Sequence, residues 1–131
     1  MRKATEEGLM SARDDLETIG ELVDNPRLTQ VVAFHAQQCV EKAFKAILEE
    51  REEEIPHVHN LVTLNERAGN PMQGEDGLDV LDRLNQLYIK ARYPGERGLF
   101  PAGKPSQEEA QLFQRVARRN YEQIRERLQS G

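Results

Sequence analysis

The sequence predicts an all-α protein, an antiparallel up-and-down bundle of about four long helices plus one short helix. Three observations carry that prediction. Apolar residues recur at three- and four-residue steps through most of the 131 residues, proline and glycine interrupt the pattern at only a few places, and the composition suits helix. Aromatic residues make up 5%, Trp is absent and charged residues reach 31%, so a core must be assembled mainly from Leu, Ile, Val and Ala. A chain of this length buries roughly two-thirds of the surface its unfolded state exposes. With no internal repeat, residues 1–131 are expected to form a single domain.

The first helix is expected over residues 4–23. Leu9, Ala12, Leu16, Ile19 and Val23 form its apolar stripe, and Glu6, Glu7, Asp14, Asp15, Glu17 and Glu21 decorate the other sides. Its acidic start suits the helix dipole. Asp24, Asn25 and Pro26 end it, because Pro lacks the backbone donor and disfavours helical geometry at the residue before it. Two long helices joined by so short a turn lie antiparallel.

The second helix, expected over residues 28–51, is the spine, roughly 35 Å long at 1.5 Å per residue. Val32, Ala36, Cys39, Val40, Ala43, Phe44, Ile47 and Leu48 share one broad apolar face, wide enough for more than one neighbour. His35, Gln38, Lys42 and Lys45 lie on the other side, where the ordinary expectation is a solvated flank and the alternative is a ligand-facing one. Cys39, the single cysteine, reads as a small core residue and permits no intrachain disulfide.

The run from Glu49 to Glu54 crowds like charges at a helix C-terminus, so fraying is expected there. His57 and His59 follow; His-x-His in a loop supplies too few nitrogen or sulfur ligands for zinc, and no metal or cofactor is expected. Leu61, Leu64 and Ala68 mark a short third helix, started by His59 or Asn60 as cap and closed by Gly69 and Pro71. Residues 69–77 read as loop. A fourth helix over residues 78–92 places Leu81, Leu84, Tyr88 and Ala91 in step, and residues 93–105, with three prolines and three glycines, are too broken for regular structure. Ser106 and Glu109 have the spacing of a capping box opening the last helix, which continues through Phe113, Ala117, Ile124 and Leu128.

Charge is divided along the chain. Residues 1–82 hold 8 Lys and Arg against 18 Asp and Glu, a net of −10, whereas residues 83–131 hold 10 against 5, a net of +5. The overall −5 disfavours bulk nucleic-acid affinity, while the basic last third suits phosphates or an acidic partner. No apolar run approaches the roughly 20 residues of a membrane span, and the acidic N-terminus lacks a signal-peptide core. A cytoplasmic protein is expected.

Three separated stretches carry a family resemblance. QQCVEKAFKAIL (Gln37 to Leu48), HNLVTL (His59 to Leu64) after Pro56, and YIKARYPG (Tyr88 to Gly95) before a last helix together resemble the HEPN domain family, the higher-eukaryote and prokaryote nucleotide-binding domain. The resemblance covers nearly the whole chain. It implies a helical bundle with an additional short helix, commonly a homodimer and often encoded beside a small nucleotidyltransferase. The family includes metal-independent ribonuclease toxins of toxin–antitoxin and defence systems, and members thought to bind only nucleotides or partners.

The ribonuclease signature of that family is an Arg, four to six further residues and then a His. Arg92 stands where the Arg is expected, but five positions later the chain has Arg97, and no His follows His59. Arginine stays charged and is a poor general base where histidine exchanges a proton near neutral pH. Arg51 and His57 match the spacing, yet they straddle the end of the spine and a loop. Around the fourth helix, Lys90, Arg92, Tyr93, Arg97 and Lys104 combine cations, a stacking ring and a glycine-rich segment suited to a phosphate and a base. The alternative is that Arg92 pairs with a carboxylate and Tyr93 packs on the bundle. His35, Lys42 and His59 are secondary candidates.

Three readings follow. The favoured one is a noncatalytic module that dimerises and binds a small nucleotidyltransferase and a nucleotide or RNA. The second is an endoribonuclease with a degenerate motif, in which Arg92 contacts the scissile phosphate and another group replaces the missing His. The third is a ligand-free dimeric adaptor.

Overall fold

The structure, a computed structural model, describes residues 1–92 and 104–130, with backbone alone at residues 75 and 89–92. Five helices follow one another: α1 (Lys3–Leu22), α2 (Thr29–Glu50), α3 (Leu61–Arg67), α4 (Glu75–Arg92) and α5 (Gln107–Ser130). Among the described residues, α2 packs against each of the other four, most extensively against α1 and next against α5. It is the axis the sequence pattern requires. All eight residues of its expected apolar face are buried, and Cys39 lies among them with its thiol pushed up to about 12, first by burial and then by the Asp15 charge.

The α1–α2 hairpin turns where proline demands. Asn25 accepts the Arg27 N–H on its side-chain oxygen at 2.9 Å, and the Leu28 N–H returns to the Asn25 carbonyl at 3.0 Å. At the far end, the expected fraying of the acidic run is limited by α1. The Arg2 guanidinium donates to the Glu49 carbonyl and carboxylate, while the Arg2 N–H and the Thr5 hydroxyl both donate to the Glu50 carboxylate, at 2.8 and 2.9 Å. Arg2, the residue just before α1, offsets the charges that oppose the dipole. The helix therefore holds to Glu50.

Asn60, not His59, caps α3, its side-chain oxygen accepting the Val62 and Thr63 N–H groups. Its oxygen also accepts from Asn85, which in turn accepts the Leu61 N–H and ties α3 to α4. One expectation needs correcting in the stretch 69–77. Helix α4 begins three residues earlier than the apolar pattern shows, at Glu75, directly after Gly74 with its φ of +95°. The residues before it are fixed by a side chain, because buried Asn65 donates to the Met72 carbonyl at 2.9 Å and accepts the Met72 N–H at 3.0 Å. Met72 then lies so close to Gly77 that an added Cβ would sit 2.9 Å from its Cγ.

The capping box forms as spaced: the Glu109 N–H donates to Ser106 Oγ at 3.0 Å and the Ser106 N–H donates to Glu109 at 3.2 Å. Gln107 reaches across to the Val23 carbonyl at the end of α1. Helices α4 and α5, by contrast, touch sparsely among the described residues. That leaves an open groove between them.

Candidate functional site

The polar flank of α2 is not a solvated stripe. Two carboxylates, Asp15 on α1 and Glu41 on α2, are buried to 9% side-chain exposure, and each is held by one lysine and one histidine. Asp15 accepts from Lys42 at 2.8 Å and pairs with His35 Nδ1 at 2.9 Å. Glu41 accepts from Lys45 at 3.2 Å, pairs with His59 Nδ1 at 3.0 Å and also accepts from the buried Gln37 amide at 3.0 Å. The second bond of Gln37 Nε2, to the His59 carbonyl, fixes the loop that carries that histidine. Buried charge is tolerated here because both carboxylates have several partners.

An aromatic row joins the two histidines. Phe34 meets His35 edge-on, with centroids 5.5 Å apart; it stacks on Tyr88 of α4 at 6.0 Å; and Tyr88 lies 5.5 Å from His59. Phe34 remains 40% exposed, and Val31, three residues earlier, 38%. Among the expected site residues, His35 and His59 are therefore joined through the aromatic row at the seam between α2 and α4, whereas Lys42 is directed to Asp15 on α1. Lys90 and Arg92 follow Tyr88 on α4, Arg92 one helical turn beyond it; their side chains, with Tyr93 and Arg97, lie outside the described residues. Lys104 is exposed beyond that stretch.

A family model described as HEPN domain matches residues 5–127. The chain belongs to the HEPN family. Among solved structures, this HEPN chain is similar to TT1696 from Thermus thermophilus, with a TM-score of 0.75 and 22% identity across 95% of this chain and 98% of that one. Identity that low speaks for the shared fold alone. No curated protein matches the chain.

What the seam of this HEPN domain offers chemically follows from its pairings. With Nδ1–H donating to a carboxylate, each imidazole has a fixed ring orientation. Lys42 and Lys45 are engaged by buried carboxylates, so neither is a free cation for a phosphate, which qualifies the expectation for Lys42. Among the described residues no group of three or more His, Cys, Asp or Glu side chains is arranged to hold a metal ion. The reading from sequence missed Asp15, Glu41 and Phe34. The spacing of Glu41 and Lys45, four apart, was the one local signal; Asp15 meets Lys42 only through the hairpin register.

Proposed function

We propose that this HEPN domain is a noncatalytic binding module that pairs with a second copy and with a small nucleotidyltransferase, in a toxin–antitoxin or defence-like pair, and takes a nucleotide or RNA phosphate at the α2–α4 seam. One observation carries the reading: the row His35, Phe34, Tyr88, His59 lies one turn before Arg92. Imidazoles and aromatic rings, Tyr93 among them, supply polar contacts and stacking for a base, and the cations at the end of α4 and beyond, Lys90, Arg92, Arg97 and Lys104, supply its phosphate partners. The exposed pair Val31 and Phe34 gives a protein partner an apolar anchor beside the same seam.

One observation favours cleavage as a second reading. His59, 48% exposed and held at Nδ1 by Glu41, stands near the end of α4 in space although it precedes Arg92 in sequence, so it supplies the imidazole that the Arg-x4-6-His spacing lacks. Acid–base assistance of this kind contributes about 10²–10⁴-fold. Incubating a mixed RNA pool with the purified protein, beside Arg92→Ala and His59→Ala variants of unchanged melting temperature, separates the readings. RNA retention without cleavage, lost in both variants, is expected. Cleavage abolished by either change would make the protein a ribonuclease, and neither retention nor cleavage would leave the ligand-free adaptor.

A further inference from the structure

The groove between α4 and α5 shares no residue with the seam and encloses about 1300 Å³. Its apolar lining includes Met72, Val80, Leu112, Phe113 and Val116. Asn120 borders it at 2% exposure, and neither its amide nitrogen nor its amide oxygen has a hydrogen-bond partner among the described residues. A buried amide left with both groups unpaired costs free energy that an occupant can recover. On the α5 rim, Arg115 and Arg119 are exposed and pair with no carboxylate among the described residues, whereas Arg83 is engaged with Glu109 at one end. The α4 rim carries Asp76 and Asp79. The groove thus has a cationic side, an anionic side and one unsatisfied donor–acceptor pair.

Asn65 shows in the same molecule what satisfies such an amide. It takes the N–H and the carbonyl of a single residue, Met72, whose side chain forms part of the groove wall. From Glu109 to Gln123 the groove follows α5 for about 21 Å at 1.5 Å per residue. Six extended residues at roughly 3.3 Å each have that length, and their side chains alternate between opposite sides. Phe113 is 1% exposed and presents no ring face for stacking a base. We propose that the α4–α5 groove binds an extended segment of a partner polypeptide, with Asn120 bonded to the segment's main chain, acidic side chains against Arg115 and Arg119, and apolar ones against Met72 and Val80. Carboxylates face α5 rather than α4 because Asp76 and Asp79 repel them.

The experiment titrates the ¹⁵N-labelled full chain with the capped hexapeptide (Glu-Val)₃, and separately with (Lys-Val)₃ and with glutarate, following the Asn120 side-chain amide signals. Saturable shifts with the glutamate peptide are expected, with affinity weaker by roughly tenfold or more in Asn120→Leu, followed there by the backbone amides, and in the surface variant Arg119→Glu. Absence of shifts, equal response to the lysine peptide, or unchanged affinity in Arg119→Glu would overturn the proposal. Equal response to glutarate would assign the groove to a free dicarboxylate instead, and Asn120 signals that move only with protein concentration would assign it to a second copy.

Discussion

Asn65 and Asn120 are both almost completely buried, at 1% and 2% exposure, yet the first gives its amide to the main chain of Met72 and the second pairs with nothing among the described residues. The difference extends to their surroundings. On the α1–α2–α3 side, Asp15, Glu41, Gln37 and Asn60 find partners from another turn or helix, and the Thr29 hydroxyl is the exception. Around Asn120 two helices touch only sparsely, and cations on one of them line an open groove. A satisfied amide acts as a structural clasp, whereas an unsatisfied one is a cost kept in the fold. The contrast teaches that burial alone does not identify a structural residue; its hydrogen-bond partners do.

The largest effect expected from this contrast is at the clasp. Asn65→Ala removes two hydrogen bonds and leaves the N–H and carbonyl of Met72 without their partner, so the domain should lose about 2 kcal/mol. For a domain of this size that lowers the melting temperature by several degrees, measurable by circular dichroism. An unchanged midpoint would mean that the Met72 segment does not need its clasp, and the distinction between the two asparagines would collapse. Asn120→Leu should act in the opposite direction. Leucine has the same branched skeleton without the polar atoms, so the free protein should gain about 1 kcal/mol and melt higher. A fall in melting temperature would show that Asn120 is already satisfied in the unliganded domain.

Much of the bundle was legible in the sequence because it depends on local chemistry. The apolar period of α2, the Pro26 break and the Ser106–Glu109 capping box each act within a few residues, and each is found where the pattern puts it. The start of α4 was not legible, since Glu75, Asp76 and Gly77 bring no apolar residue to the stripe. Neither was the polar core. Asp15 lies beside the apolar stripe of α1 and reads as solvent-facing until the hairpin register brings His35 and Lys42 to it, from 20 and 27 positions further along the chain. The groove was even less visible, because it arises from what α4 and α5 do not touch. The motifs that place the chain in its family were legible, and the family match covers residues 5–127, Arg92 among them.

The smallest expected effect tests the one place where the groove does have a matched charge. Glu109 is held below its ordinary value of 4.5, first by the side-chain hydrogen bonds from Arg83 and also by the Ser106 N–H. Glu50, at the other end of the bundle, is lowered by the Arg2 N–H and then by the Thr5 hydroxyl. A carboxylate lowered by folding stays ionised in the native state after the unfolded chain has begun to take up its proton. Its contribution is therefore complete above about 4.5 and is lost as pH falls through the lower native value. The share of the melting temperature that these two carboxylates supply should be constant above about pH 5 and decline below it. In Arg83→Met that decline should be shallower, because Glu109 would then titrate nearer to its unfolded value, while the part due to Glu50 would persist. An identical acid limb in Arg83→Met would show that the Arg83–Glu109 pair adds nothing to stability, and that the closed end of the groove is as unbound as the open rim of Arg115 and Arg119.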